Sequence, residues 1–226
     1  MPGSCAAPRA MVFCGVPEAD PEAGPEAGPG DPTAPRHNLF LVRHGATAWS
    51  RSGQHTGLTD VPLLDEGREE ARSLAPLLDR LSFALVLTSP LLRAQETCAL
   101  AGLGDRAEVT EDLVEWDYGE YEGRTTDEIR EERPGWSLWV DGVPGGETVG
   151  AVGRRVDRVI ELARRQEGDT ICFAHGHVLR VLAARWVGLP PVGGRFLALE
   201  PAALSALGWE REVPVLVRWN APSPRG

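Results

Sequence analysis

Three short apolar segments, separated by stretches of helical periodicity, most constrain the fold of this 226-residue chain. They are Leu39–Val42, Phe83–Leu87 and Thr170–Ala174. Runs of this length without alternating polar residues are typical of strands that are covered on both faces. Strands of this kind that alternate with helices indicate a parallel sheet between two helical layers. The pattern therefore predicts the α/β class, as a three-layer α/β/α sandwich with a mostly parallel central sheet.

The same periodicity predicts the other elements of the chain. Four helices are expected, at 65–80, from Ser89-Pro90 onward, at 149–163 and after His175-Gly176-His177 to about Trp186. Three further strands are expected, at Phe196–Leu199, Leu204–Trp209 and Val213–Trp219, the last two as a hairpin. Proline in the first turn is the reason to begin the second helix at Ser89-Pro90.

The first part of the chain differs in composition from the rest. Residues 15–36 are rich in Pro, Gly, Ala and acidic residues, and Pro-Glu-Ala-Gly occurs at 21–24 and again at 25–28. Such a segment cannot bury enough apolar surface to offset the entropy lost on ordering. We expect a disordered tail over 1–36, one catalytic domain over 37–221 and a disordered C-terminus over 222–226.

Composition also narrows the classes of partner. The net charge of −10 argues against nucleic acid. No apolar run reaches the roughly 18 residues that a membrane span needs, and the first 15 residues do not form a secretory signal. The four cysteines lack the paired spacing of a zinc or redox motif, so cytoplasmic thiols are expected. All 23 basic residues are arginine, which excludes a catalytic lysine.

Two of the predicted strands end in His-Gly. Leu39–Val42 continues into Arg43-His44-Gly45, and the strand at 170–174 continues into His175-Gly176. In a parallel sheet both histidines emerge at the carboxyl edge, where ligands bind in α/β proteins. An arginine can hold a phosphate through two N–H groups, and a histidine can attack phosphorus or accept a proton. The two strand ends predict a phosphate-handling site.

A second arginine and an acid belong to the same hypothesis. The strand at Phe83–Leu87 is followed by Thr88-Ser89-Pro90 and by Arg93 in the first turn of the next helix. This position favours an anion. Glu115 is the candidate proton donor because it follows an apolar pair and precedes Trp116, and an apolar setting favours a neutral carboxyl group. Asp117 and Glu120 are expected to be solvated.

These motifs, in this order, resemble the histidine phosphatase superfamily, in its phosphoglycerate-mutase-like branch. The matching segments are Arg43-His44-Gly45-x-Thr47, Thr88-Ser89-Pro90-x-x-Arg93-x-x-Glu96-Thr97, Leu113-x-Glu115 with Gly119-x-x-Glu122-Gly123, Gly146-Glu147-Thr148 and His175-Gly176. Residues 52–60 and 115–119 are similar to a subgroup of sedoheptulose-1,7-bisphosphatase-like and broad acid phosphatases. The resemblance implies the phosphoglycerate-mutase-like fold.

The resemblance also implies a mechanism without a metal or another cofactor. His44 attacks phosphorus to give a phosphohistidine, and Arg43, Arg93 and His175 hold the equatorial oxygens. Glu115 protonates the leaving oxygen and then deprotonates water. The substrate is a small phosphorylated metabolite, including sugar phosphates and bisphosphates. The side chains or backbone expected around the rest of the substrate belong to Thr47, Ser50, Gln54, Thr56, Gly57, Tyr118, Gly176 and His177.

Several alternatives stay open. A cofactor-dependent phosphoglycerate mutase is the nearest, although true mutases carry Asn where this chain has His177 and have a longer basic insertion than residues 123–145. A non-catalytic phosphate-binding module is another. His44, His175 and His177 could hold a metal by spacing, but no carboxylate motif completes such a site. His55 is expected in a surface loop, and a homodimer is one of the expected assemblies.

Overall fold

The computed structural model describes residues 36–223, so the expectations for 1–35 and 224–226 lie outside the described residues. Six strands form one sheet in the order β3-β2-β4-β1-β5-β6. They are β1 (Leu39–Arg43), β2 (Leu85–Thr88), β3 (Ala107–Val109), β4 (Thr170–Ala174), β5 (Leu204–Glu210) and β6 (Val213–Ala221). β3, β2, β4 and β1 pair in parallel, and β5 pairs antiparallel with both β1 and β6. The predicted mostly parallel sheet is confirmed.

Seven α-helices connect the strands in the described part of the chain. They are α1 (Ala48–Ser52), α2 (Asp65–Leu78), α3 (Leu92–Leu100), α4 (Thr126–Glu132), α5 (Leu138–Asp141), α6 (Val149–Arg164) and α7 (Gly176–Trp186). Short 3₁₀ turns occupy Gly104–Arg106, Glu111–Leu113, Gly119–Tyr121 and Pro191–Phe196. No helix within residues 36–223 is both long enough and apolar enough to cross a membrane.

Successive residues of the central strands enter opposite cores, as the two-residue period of a strand requires. Leu39 and Leu41 of β1 lie in the core that contains side chains of α6 and α7, whereas Val42 lies in the core that contains those of α2 and α3. Cys172 of β4 belongs to the first core and Phe173 to the second. The sheet is therefore covered on both faces, and the three-layer prediction is confirmed.

Two predicted elements differ from the structure near the site. The second helix begins at Leu92 and not at Ser89-Pro90, because the Ser89 hydroxyl contacts His175 and because Asp60, from another segment, accepts the N–H of Leu92. Residues 196–199 do not form a strand. The Leu199 carbonyl accepts from the Arg43 side chain, and that of Ala198 accepts from the Trp219 indole, so side chains take the place of a strand partner.

The strand β3 and three short helices were not predicted. β3 has the sequence Ala-Glu-Val at the edge of the sheet, and it carries no continuous apolar run because two of its three residues are exposed. The helices α1, α4 and α5 have at most seven residues each, too few to show a helical period.

Candidate active site

The carboxyl ends of β1, β4 and β2 bring three polar segments side by side. Arg43 and Ala174 are paired in the parallel ladder, and the next N–H, of His44, donates to the Ala174 carbonyl at 2.9 Å. The N–H of Ser89 donates to the carbonyl of Phe173 at 3.0 Å in the same way. The imidazole rings of His44 and His175 then lie with their centroids 5.1 Å apart. The structure brings together the two histidines predicted from separate strands.

The ring of His44 has a defined proton position. Its Nδ1 lies 2.8 Å from the carbonyl oxygen of Gly45, and a carbonyl only accepts, so Nδ1 carries the proton and Nε2 keeps its lone pair. Burial lowers the pKa of His44 well below its ordinary value, and the cations of Arg43 and Arg93 lower it further. His44 is therefore held as a neutral imidazole with Nε2 as its nucleophilic atom.

His175 is held in the complementary tautomer. Arg93 Nε donates to His175 Nδ1 at 3.1 Å, which leaves the proton of the neutral ring on Nε2, 2.7 Å from the hydroxyl of Ser89. Burial lowers the pKa of His175 well below its ordinary value, followed by the charges of Arg93, His44 and Arg43. His175 and Arg93 are each fully buried. Neither lines the cavity: Arg93 lies behind Thr56, to whose carbonyl it donates, and the ring of His175 lies beside that of His44.

Arg43, the last residue of β1, faces the cavity. One terminal nitrogen donates to the Leu199 carbonyl, and Nε is buried with no hydrogen-bond partner among the described residues. The guanidinium also lies against Gly176, where an added Cβ would be 3.5 Å from its Cζ. A buried N–H group of a cation that makes no hydrogen bond destabilises the folded protein, unless a ligand accepts from it. The side chain is thus equipped to bind an anion.

Glu115 is held by the start of α7. Its Oε1 accepts from the backbone N–H groups of Trp116 and Val178, each at 2.9 Å, and its Oε2 accepts from that of His177 at 3.0 Å. A carboxylate has about four lone-pair sites, so one, on Oε2, stays unused. Glu115 is buried, yet it lines the same cavity as His44. It can therefore exchange a proton with a bound molecule.

A cavity of about 260 Å³ lies over these groups. Of the predicted substrate-lining residues, the ones on its wall are Ser50, Gln54, Thr56, Tyr118, Gly176 and His177. Thr47 is not on this wall, because its hydroxyl accepts the N–H of Ser50 in a capping box that begins α1. The N–H of Gly57 is also not available to the cavity, because it donates to Glu122.

The structure adds wall residues that the sequence did not reveal. His55 is not in an exposed surface loop: it is 9% exposed, its ring centroid lies 4.8 Å from that of Tyr118, and burial lowers its pKa to about 4. Arg180, on α7, stacks over Trp139 at 4.7 Å and also faces the cavity. Its place four residues beyond Gly176, one helical turn, is the only sequence signal for it. The other added wall residues are Trp49, Gly53, Thr126 and Leu199.

His177 contacts the cavity through its ring and the helix start through its backbone. The hydroxyl of Tyr118 lies within hydrogen-bond distance of His177 Nδ1, at 2.6 Å, and the backbone N–H of His177 donates to Glu115. Burial lowers the pKa of His177 well below its ordinary value, and the Arg180 charge lowers it further. Within residues 36–223, no three His, Cys, Asp or Glu side chains are grouped as ligands of one metal ion.

Comparison with known proteins points to one family. The model of the histidine phosphatase superfamily (branch 1) matches residues 39–222. The chain is 43% identical over 195 residues to an acid phosphatase of Mycobacterium tuberculosis, over 83% of this chain and 96% of that protein. It is 41% identical over 182 residues to a sedoheptulose 1,7-bisphosphatase of Saccharomyces cerevisiae, over 66% of this chain and 67% of that protein.

A solved structure agrees with the sequence matches. It comes from an open reading frame of Mycobacterium tuberculosis and superposes with a TM-score of 0.79 at 41% identity, covering 83% of this chain and 99% of that one. The family that the motifs predicted is confirmed, and with it the phosphoglycerate-mutase-like fold. The chain belongs to the histidine phosphatase superfamily, branch 1.

Proposed function

We propose that this protein is a phosphomonoester hydrolase that works through a phosphohistidine on His44. The observation that carries the proposal is the environment of His44. Its Nδ1 proton is held by Gly45, its Nε2 is free to attack, and the unused Nε–H of Arg43 and the carboxyl group of Glu115 belong to the same cavity. The kinship with an acid phosphatase and a sugar bisphosphatase supports hydrolysis over phosphoryl isomerisation.

In the first step, Nε2 of His44 forms a bond to phosphorus while the bond from phosphorus to the leaving oxygen breaks. Glu115 gives its proton to that oxygen, so the alcohol leaves neutral. Arg43 holds the equatorial oxygens, where charge accumulates. Arg93 adds positive charge from behind, and His175 can turn its Nε2–H from Ser89 to a phosphate oxygen.

In the second step, water attacks the phosphohistidine from the side that the alcohol has vacated. Glu115 takes the proton of that water, the phosphorus–Nε2 bond breaks, and orthophosphate leaves with His44 returned to its neutral form. The neutral state imposed by burial matters here, because a protonated imidazole has no lone pair for the first step. These steps need no metal ion, since two arginines supply the positive charge.

The substrate we propose is a small phosphorylated metabolite, such as a sugar phosphate or bisphosphate. A cavity of about 260 Å³ is at the small end of ligand sites, and hydroxyl, amide and imidazole groups dominate its wall. We also propose that the protein acts in the cytoplasm, which the free buried thiols of Cys98 and Cys172 support. A homodimer stays a prediction, which light scattering can test.

The test compares the wild type with His44→Ala on p-nitrophenyl phosphate and on a panel of sugar phosphates. We expect phosphate release to fall at least 10⁴-fold, on the order of the loss of other catalytic nucleophiles. Orthophosphate binding, measured by calorimetry, should change by no more than a few fold, because Arg43 stays in place. The wild type quenched in alkali should carry phosphate on His44.

Three results would overturn the proposal. Turnover by His44→Ala at the wild-type rate would exclude the nucleophile. A second assay uses phosphoglycerate primed with 2,3-bisphosphoglycerate. Transfer of phosphate between the positions of phosphoglycerate that is faster than phosphate release would identify a mutase. Binding of phosphate esters without release from any of them would identify a non-catalytic module.

A further inference from the structure

The loop that follows α1 carries four cavity residues but contains no helix or strand of its own. Gly53, Gln54, His55 and Thr56 line the cavity, and the chain then continues through Gly57 to Asp60. A loop is placed as firmly as the hydrogen bonds that hold its backbone. The partners of residues 56–59 therefore decide how well this wall is defined.

A carboxylate holds the donors of this loop. Oε1 of Glu122 accepts from the N–H groups of Gly57 at 2.9 Å and Thr59 at 3.1 Å, and Oε2 accepts from Gly57 at 3.0 Å. The Glu122 carboxylate approaches the backbone of residue 57 so closely that this residue must be glycine. A Cβ at position 57 would lie 2.5 Å from Oε2 of Glu122 and 2.7 Å from the carbonyl oxygen of Trp116.

A guanidinium holds the acceptors of the same loop. Arg93 donates to the carbonyls of Thr59 and Gly57, each at 2.8 Å, and to that of Thr56 at 3.3 Å. With the bond from its Nε to His175, four of its five N–H groups bind the protein. The orientation of Arg93, and with it that of His175, therefore depends on where the loop backbone lies.

We propose that Glu122 is a positioning residue for phosphoryl transfer, acting through the 56–59 backbone on Arg93 and His175. The carboxylate and the guanidinium bind the N–H and C=O groups of one short segment, so displacement of either releases the other. Their opposite charges also attract across the loop. Burial lowers the pKa of Arg93, and the charges of Glu115, Asp60, Tyr118 and, last, Glu122 act to raise it. The proposal rests on the phosphatase function proposed above.

Two neighbouring contacts limit what else could hold the loop. The N–H of His55 donates to Arg124 at 2.9 Å, and that of Gly123 donates to His55 at 2.8 Å. Both lie before residue 56 and hold the start of the loop, and the Asp60 carboxylate, which accepts the N–H of Leu92 at 3.0 Å, holds its end. Among the described residues, Glu122 and Arg93 are the distant partners of the 57–59 backbone between them. Loss of the Glu122 carboxylate should therefore disturb Arg93 while the start of the loop stays paired.

The test is a double-mutant cycle between Glu122→Ala and Arg93→Lys. Lysine keeps the charge but loses the fork that binds three carbonyls. We expect Glu122→Ala to lower kcat/KM for p-nitrophenyl phosphate at least tenfold and to raise the inhibition constant of orthophosphate. In the Arg93→Lys background the same change should cost less than about twofold, because coupled residues are not additive. Glu122→Gln should recover part of the loss.

The matched control is Glu120→Gln, which alters an exposed carboxylate two residues away and should leave kcat/KM unchanged. All rates are measured below the melting temperature of each variant. If Glu122 acted on stability alone, its loss would lower the melting temperature, and the two losses of kcat/KM would stay independent. If Glu122→Ala does not fold, the cycle uses Glu122→Gln, with a loss of at least about threefold expected.

Losses that multiply in the double variant would overturn the role of Glu122, as would wild-type kcat/KM in Glu122→Ala. An inactive wild type would instead overturn the phosphatase function. In that case the double-mutant cycle is measured as orthophosphate affinity by calorimetry. Losses of affinity that multiply in the double variant would again exclude the positioning role.

Discussion

At the scale of single residues, hydrogen-bond partners set the chemistry that each side chain can perform. His44 and His175 are both neutral and both lie at strand ends, yet they differ in function because their protons are held differently. Gly45 takes the Nδ1 proton of His44, whereas Arg93 donates to Nδ1 of His175. Only His44 is left with a free lone pair at Nε2 in the cavity. In the proposed mechanism His44 is therefore the nucleophile and His175 its proton-bearing neighbour.

The role of Glu115 leads to a prediction about leaving groups. Glu115→Gln keeps one oxygen, which can still accept the N–H groups of Trp116 and Val178, but it cannot supply a proton. For a sugar phosphate, whose alkoxide leaves poorly, we expect kcat/KM to fall roughly 10²–10⁴-fold, the usual contribution of a general acid. For p-nitrophenyl phosphate, whose phenolate leaves without a proton, the fall should be much smaller. Steady-state kinetics with both substrates measure the ratio.

The controls for this prediction are the two other acids of the segment. Asp117 accepts the N–H of Gly119 at 2.9 Å, and Glu120 is exposed; neither belongs to the cavity wall. Asp117→Asn and Glu120→Gln should therefore show no dependence on the leaving group. An equal loss on both substrates in Glu115→Gln would exclude the acid role.

At the scale of elements, the turn that carries His44 is fitted against the first turn of α2. The two backbones meet at a pair of glycines, with no room for a side chain on either. A Cβ on Gly45 would lie 2.2 Å from the Gly67 carbonyl oxygen, and one on Gly67 would lie 2.3 Å from that of Ala46. Glu70, one turn further along α2, accepts the N–H of Ala46 at 3.0 Å. The helix therefore supports the strand end that presents the nucleophile.

This contact reverses the usual effect of replacing a helical glycine. Gly67→Ala would gain up to about 1 kcal/mol in helix propensity, but the methyl group meets backbone that cannot move aside. We expect a net loss of about 1–3 kcal/mol in the free energy of unfolding, as in other overpacked sites, together with lower activity. Urea denaturation and p-nitrophenyl phosphate kinetics measure the two effects.

A second helical glycine serves as the comparison. At Gly150 of α6, the nearest atom to an added Cβ is a terminal nitrogen of Arg154 at 3.7 Å, an ordinary contact. Gly150→Ala should leave stability unchanged or raise it by up to about 1 kcal/mol, with unchanged activity. If both substitutions shift stability in the same direction, the close approach at Gly45 and Gly67 is not what decides the effect.

At the scale of the whole molecule, the fold keeps four histidines neutral. Burial is the leading cause that lowers the pKa of each, and they are His44, His55, His175 and His177. The unfolded chain binds a proton at each near pH 6.5, while the folded chain does not. Because the unfolded state binds more protons, stability falls as the pH drops below about 6.5.

His55 allows this linkage to be measured at one site. Its pKa is lowered to about 4, so between pH 4 and 6.5 it adds up to about 1.4 kcal/mol per pH unit to the slope of stability. His55→Gln should lower the slope of stability against pH by the amount that corresponds to one bound proton, about 1.4 kcal/mol per pH unit. Urea denaturation at several pH values measures it. Ile129→Val, which trims a buried residue without removing an ionisable group, should keep the wild-type slope; a flattened slope there would contradict the assignment.

Local pattern was enough to predict much of this molecule. An apolar run such as 170–174 can only be a covered strand or a buried helix segment, and its length and flanks favour the strand. Since parallel strands end at one edge, the residues that follow β1 and β4 were expected at the same edge, and because these strands are neighbours the structure places His44 beside His175. By contrast, the strand expected at 196–199 is absent: Phe196 is exposed, and the carbonyls of Ala198 and Leu199 accept from the side chains of Trp219 and Arg43.

The sequence by itself determined the covered strands, their helical layers and the residues at the strand ends, because periodicity and strand direction are properties of neighbouring residues. Tertiary structure alone decided how those residues are used. Arg93 turns most of its N–H groups to the loop at 56–59, Glu115 accepts the N–H groups of His177 and Val178, and His55 is buried against Tyr118. The physical reason is that a polar group binds whichever partner the fold places within about 3 Å, and those partners lie far away along the chain.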